Sequence, residues 1–313
     1  MCVGRSSEFR ALSGDSKFRD LSPTNVTEPL DHEIAEFLRH CGSTRGRRLR
    51  VMDFGCGRGG LVGQLRMAGA DAYGVDIDER FIHSGRILSR MWEGDCPILS
   101  LMEVGGRTLF KDDFFDAVIT DQVLEHVADL DALAGEISRI LRPGGMVFHR
   151  FPGRRLLMEP HYHLPAVHWL APRSRPRRLA IRALVGLGAQ GSLPREMAPR
   201  DKAEIIGTYA DTQTFYRAGT AIAETFDRHG ISLSFGPFFR WWLVGKLRAK
   251  LGVRGPLLRA AALALRSRRL TGLLGEAYHW RVTGTKRSEK LMRAVEKQKP
   301  RRDFSRAGLS PDL

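Results

Sequence analysis

Along residues 49–152, apolar runs alternate with short polar or glycine-rich breaks in a regular order. The apolar stretch 49–52 predicts a strand, and Gly55-Cys56-Gly57-Arg58-Gly59-Gly60 after it predicts a tight turn. Leu61, Val62, Leu65, Met67 and Ala68 then recur at helical spacing, and a second apolar run, 72–75, ends in Asp76. Phe81, Ile82, Ile87, Leu88 and Met91 give one apolar face to a helix over 79–92. Further strands are predicted at 98–104, 115–120 and 146–151. A helix over 129–141 stops at Arg142-Pro143-Gly144-Gly145. Strands alternating with helices imply a parallel, doubly wound α/β sheet.

Outside this core the pattern is looser. A helix is predicted over 27–40, capped by Thr27, with Pro29 in its first turn and Ile34, Phe37 and Leu38 on one face. Phe215, Ile222 and Phe226 suggest a helix over 213–229, followed by a strand at 231–235. Residues 278–283 alternate as an edge strand should. The expected layout is a tail and cap helix at 1–48, a core at 49–151 and an insertion at 152–208. The rest of the core follows at 209–287, broken by a basic helical insertion at 240–275, and a disordered tail spans 288–313.

Charge divides the chain more sharply than hydropathy does. Of 313 residues, 42% are hydrophobic and 27% charged, as in a soluble globular protein. The net charge of +15 is uneven: residues 1–150 carry −4 and the remainder +19. A basic second half points to an anionic partner: a membrane surface, a phosphorylated or lipid-linked substrate, or nucleic acid. Between Leu243 and Gly275 stand eight Lys/Arg and no acid, with leucines at helical spacing, which suits two amphipathic helices lying on anionic lipid. Cys2, Cys41, Cys56 and Cys96 lack metal-type spacing, and no apolar run suits a signal peptide or a membrane span. The expected location is the cytoplasm, with peripheral contact at the inner membrane surface.

The glycine turn carries the chemistry. Glycines let the backbone approach a ligand closely beside the partly positive start of a helix, and Asp76 is placed to accept hydrogen bonds from ribose hydroxyls. Gly55, Gly57 and Gly60 satisfy the dinucleotide pattern G-x-G-x-x-G, which keeps an NAD-type oxidoreductase in view. Asp53, two residues before the first glycine, opposes it, because a carboxylate there would repel a pyrophosphate and suit a cationic ligand. With Gly59 the loop reads D-x-G-x-G-x-G, which resembles the first motif of class I S-adenosylmethionine-dependent methyltransferases. FFDAVITDQVLEHV and LRPGGMVFHRFP resemble the middle of the small-molecule members of that family, the methyltransferase type 11 group with the ubiquinone and sterol enzymes. Together these motifs cover residues 49–152.

The resemblance implies a Rossmann-like, mostly parallel sheet of seven strands, its last two forming an antiparallel pair at one edge. It implies S-adenosyl-L-methionine as cofactor. Asp53 and the loop Gly55, Cys56, Gly57 and Gly59 would hold its methionine end, Asp76 its ribose, and Ile77 would flank the adenine. Asp121 and Gln122 would edge the methyl-bearing sulfur. The family's third-strand Asp, which holds the adenine, is missing; its place falls at Val104 beside Glu103, so either Glu103 or backbone groups near Val104 and Gly105 take that role.

Methyl transfer from a sulfonium is an in-line displacement that requires no metal, and a base only where the acceptor must lose a proton. Candidate bases are His161 and His163, with Glu159 and His126 as alternates and His149 and His168 also within view. Glu159, His161, His163 and His168 fall just past the fifth strand, where substrate-binding insertions project; a metal site or a plain structural loop are the other readings of that cluster. The turn Asp121-Gln122-Val123-Leu124 lacks the N/D-P-P-aromatic stretch of base-methylating enzymes. The expected activity is methylation of a small or lipid-linked acceptor on oxygen, with an RNA-directed methyltransferase as the main rival.

Overall fold

The computed structural model describes residues 29–41, 47–89, 98–189, 193–250 and 255–288. Seven strands form one sheet in the order β3-β2-β1-β4-β5-β7-β6. They are β1 (Arg50–Phe54), β2 (Asp71–Asp76), β3 (Leu99–Leu101), β4 (Phe115–Asp121), β5 (Leu141–Pro152), β6 (Ile231–Ser234) and β7 (His279–Lys286). The first five run parallel, while β7 runs antiparallel to both β5 and β6. The order reverses between β1 and β4, which opens a crevice at the carboxyl ends of those strands.

Helices cover both faces: α1 (His32–His40), α2 (Gly60–Met67), α3 (Glu79–Ser89), α4 (Leu130–Ile140) and α7 (Gly219–Arg228) among them. Alternate side chains along each strand feed opposite layers, as strand geometry requires. Met52, Phe54 and Val118 join Leu133, Ile137 and Phe226 on one face. Val51, Ala117 and Ile119 join Ile34, Phe37, Val62 and Leu65 on the other. All seven residues of β4 are buried, so it is the spine of the sheet.

The insertion after β5 builds a helical lobe of its own. α5 (Arg175–Gly186) and α6 (Pro199–Thr212) pack as a pair around Tyr162, Leu164, Ile181, Val185, Ile206 and Tyr209. The basic insertion forms three helices, α8 (Pro237–Lys250), α9 (Gly255–Ala264) and α10 (Arg268–Glu276).

Several local expectations change. The cap of α1 is Asp31, whose carboxylate accepts from Glu33 N at 2.7 Å, so the helix starts at His32 and Pro29 lies ahead of it. Thr27 lies outside the described residues, as do Cys2, Cys96, residues 90–92 of the α3 segment and the tail from 289. The strand expected at 98–104 is confined to β3. The helix expected over 213–229 starts only at Gly219; Gln213 caps the end of the preceding helix, and residues 214–218 are neither helix nor strand. Phe215 N donates to Glu125 O (2.6 Å) and Gly219 N to Glu276 Oε1 (2.8 Å), so contacts from elsewhere in the chain keep the segment out of the helix. α6 was not foreseen, and it runs across the expected boundary at 208/209. Residues 279–283 fall in β7, while Tyr278 lies in the bend before it; β7 is paired on both sides, because β6 closes the edge beyond it. Three helices, not two, follow β6, since Ser267 caps a third by accepting from Leu270 N.

Candidate active site

A cavity of about 1200 Å³ lies in the crevice beyond β1, β2 and β4. Its wall includes Asp53, the loop Gly55–Gly60, Asp76, Ile77, Val104, Gly105, Asp121, Gln122 and His126. The turn after β1 is bent by glycines in the left-handed region: Gly55 at φ 83°, Gly57 at 55° and Gly59 at 81°. At Gly55 an added Cβ would strike Val123 Cγ2 at 2.4 Å, so packing alone requires glycine there. At Gly57 no protein atom lies within 4 Å of that point. The space above Gly57 therefore belongs to the cavity, as it must where a ligand approaches the backbone.

Asp76 closes the loop from the tip of β2. Its Oδ2 accepts from Gly57 N at 2.8 Å and its Oδ1 from Asp78 N at 2.9 Å. Burial raises this carboxyl above its ordinary value, while the N–H groups of Asp78 and Gly57 pull the other way. Each oxygen keeps a lone pair, so the group can still accept from a diol. Loop, acid and cavity together fit the adenosine and methionine ends of S-adenosylmethionine. Around the adenine position, Val104 and Gly105 line the cavity and Glu103 does not. Glu103 is exposed, because the strand has ended at Leu101 and the chain turns outward.

Opposite the glycine loop, Asp121 at the end of β4 is gripped by Arg150 of β5, Nε to Oδ1 at 2.8 Å and Nη2 to Oδ2 at 2.6 Å. Burial alone would lower the Arg150 guanidinium, but Asp121 and Asp31 hold it protonated. Its Nη1 reaches Asp31 Oδ2 at 3.0 Å and Glu33 Oε2 at 3.4 Å, and Arg281 Nε meets Glu33 at 3.0 Å. This network ties the start of α1 to the cavity wall. Sequence reasoning missed Arg150 and Asp31; the period of two along β5, which sends Arg150 to the face opposite His149, was the available signal.

The histidines separate by geometry. His126 lines the cavity, and its Nδ1 lies 2.7 Å from Gln213 O. A carbonyl only accepts, so Nδ1 carries the proton and Nε2 of the neutral ring is the basic nitrogen. His161 packs edge-on against His126 with ring centroids 4.7 Å apart. Its Nδ1 donates to Glu159 Oε1 at 2.6 Å. Glu159 is fully buried and also accepts from His161 N (2.7 Å), Tyr162 N (2.8 Å) and Tyr216 Oη. Burial would raise its carboxyl, but the His161 ring, the Tyr216 hydroxyl and the Tyr162 N–H hold it below its usual range.

His163 is exposed and left-handed at φ 51°, and neither it nor His161 lines the cavity. The Nδ1 of His149 lies 2.8 Å from the Thr120 hydroxyl inside the core, and burial pulls this ring down to about 3. His168 is buried beside Tyr216. Among the described residues, Glu125, His126 and His161 offer ligand atoms within 4.8 Å of one another, so these three are the side chains placed to share a cation. Gln213 and Phe215, which sequence reasoning put in a helix, line the cavity instead.

Comparison with known proteins finds methyltransferases. The family model described as a methyltransferase domain matches residues 52–149. A ubiquinone biosynthesis O-methyltransferase of Mesorhizobium japonicum is 29% identical over 155 residues, covering 47% of this chain and 61% of that one. Its namesake in Sinorhizobium medicae is 35% identical over 137 residues, covering 42% and 54%. The chain thus spans little more than half the length of these relatives. A solved S-adenosylmethionine dependent methyltransferase from Mesorhizobium loti is 15% identical, covers 81% of this chain and 97% of that one, and superposes with a TM-score of 0.46.

Proposed function

The chain carries a class I S-adenosylmethionine-dependent methyltransferase domain, and on that premise we propose that it methylates an oxygen of a small or lipid-linked acceptor, with His126 as the proton-accepting group. The observation that carries this reading is His126, its Nδ1 fixed by the Gln213 carbonyl, on the wall of the cavity that also holds the glycine loop and Asp76. The activity of the relatives, O-methylation in ubiquinone biosynthesis, supports oxygen as the acceptor atom. When bound, S-adenosylmethionine supplies a methyl group already activated on a sulfonium.

The chain's own residues then have three tasks. Asp76 and the backbone of Gly55–Gly59 hold the cofactor, with Asp53 and Asp121 giving the methionine end an acidic setting and Ile77 and Val104 flanking the adenine. The segment 213–218 and the lobe α5–α6 cover the opposite side and exclude water, so alignment of the reactants supplies most of the rate. His126 takes the hydroxyl proton on Nε2, and the positive ring is stabilised by the Gln213 carbonyl. His161, fixed by Glu159 and Tyr216, orients the His126 ring and is a positioning residue. His163 has no part in this arrangement.

Labelled S-adenosylmethionine, incubated with polyprenylated and short-chain phenols, tests the reading by mass spectrometry of the products. A methyl ether is expected; methyl transfer to an RNA substrate but to no phenol would overturn it. His126→Ala should lower kcat about 10²- to 10⁴-fold with cofactor affinity unchanged. Glu159→Gln should lower kcat less and shift its pH profile. A chelator should leave turnover unchanged; if it abolishes turnover, Glu125, His126 and His161 serve a cation and the base assignment is wrong.

A further inference from the structure

We propose that helices α8, α9 and α10 form a docking surface for an anionic lipid bilayer. Residues 237–275 contain nine Lys/Arg and no Asp or Glu. Among these bases the fold leaves large apolar side chains outside: Leu263 at 63% exposure, Leu273 at 57%, Leu274 at 36%, Trp241 at 38% and, just beyond, Tyr278 at 49%. α8 and α10 pack on β7 and α9 packs on α8, so the three helices belong to one element at that side of the sheet.

Helical spacing pairs the two kinds of residue. Arg259 and Leu263 are one turn apart on α9, with Arg266 just past its end, Arg269 and Leu273 are one turn apart on α10, and Trp241 and Arg248 are two turns apart on α8. These four bases, together with Lys246 and Arg268, are all exposed, and no Asp or Glu stands among residues 237–275. A helix that merely packs on a core turns its leucines inward and solvates its arginines. α9 and α10 turn leucines outward beside the arginines, which is the arrangement an interface rewards: aliphatic groups enter the acyl boundary while guanidinium groups stay at the phosphates.

Nucleic acid fits this surface less well. Trp241 is already stacked on His32, with ring centroids 5.3 Å apart and planes 11° from parallel, and Phe238 lies 5.1 Å from it. Trp242 is buried, with the Arg281 guanidinium 3.8 Å above its ring. Neither indole is an open platform for a base, and exposed leucines offer nothing to a phosphate backbone. Position adds a reason for lipid. His32 opens α1, whose Asp31 and Ile34 line the cavity. A bilayer held against α8 therefore lies next to the cavity, where a lipid-linked acceptor could enter from the membrane.

The purpose of this surface rests on the lipid-linked reading above, but its test needs no turnover. The full chain is sedimented with vesicles of phosphatidylcholine alone and of phosphatidylcholine mixed with phosphatidylglycerol, and titrated with an RNA oligomer. Binding to the mixed vesicles only, reversed by salt, is expected. Replacing Arg259, Arg266, Arg268 and Arg269 by Gln should weaken it by about fivefold per base withdrawn. Leu263→Ser with Leu273→Ser should weaken it at an unchanged salt dependence. Equal binding to both vesicles, binding to neither, or tighter salt-sensitive binding to RNA would overturn the proposal. Calorimetry with S-adenosylhomocysteine shows that each variant is folded. For the unsubstituted chain, no vesicle binding with intact cofactor binding sinks the surface alone, and vesicle binding without cofactor binding sinks the methyltransferase reading alone.

Discussion

At the scale of single residues, the site depends on which atoms already have partners. Asp76 uses one lone pair of each oxygen on the loop and leaves the others for a ribose, so Asp76→Ala removes both the ligand contact and the tie to Gly57. Its affinity for S-adenosylhomocysteine should fall by about 1.5–3 kcal/mol, the range for hydrogen bonds to a charged group, as read by calorimetry. His149 makes the opposite kind of prediction, about stability. Its folded value of about 3 lies below the ordinary imidazole value of about 6.5. Below pH 6.5 the unfolded chain therefore takes up a proton that the folded chain refuses. Stability is full above that pH and falls as the pH drops toward 3, by about 1.4 kcal/mol per pH unit for one proton. Urea unfolding at pH 7 and pH 5 should show this loss, and His149→Gln should reduce it; an equal loss in the variant would mean that other groups dominate the acid limb.

Among elements, α1 matters most for the site, because Arg150 joins it to Asp121. Arg150→Ala would leave Asp121, Asp31 and Glu33 without their shared cation, a change worth about 3 kcal/mol or more for a largely buried group. Hydrogen exchange should quicken in α1 while β1 and β4 keep their protection; unchanged exchange in α1 would mean the network does not hold it. Here the limits of the sequence are plain. The glycine loop, Asp76 and the strand–helix order were legible because glycine turns and hydrophobic periods are local signals. The non-helical course of 214–218 was not, because Phe215 and Ile222 do repeat at helical spacing and only the distant partners Glu125 and Glu276 decide otherwise. The same holds for the histidines: Glu159, His161 and His163 are neighbours in the chain, yet folding sends His161 against His126 and leaves His163 outside.

For the whole molecule, the uneven charge acquires a place. The near-neutral half supplies most of the cavity wall, and the basic half supplies Thr212, Gln213 and Phe215 of that wall, the lobe α5–α6 and the three-helix surface beside α1. No helix of the described residues is long and apolar enough to cross a membrane. Every part of this account depends on what the cavity binds. Calorimetry of the full chain with S-adenosylhomocysteine and with NADH tests that most directly. Saturable binding of S-adenosylhomocysteine, weakened in Asp76→Ala, with no heat from NADH, is the predicted result. Binding of NADH, or S-adenosylhomocysteine affinity untouched by Asp76→Ala, would contradict it.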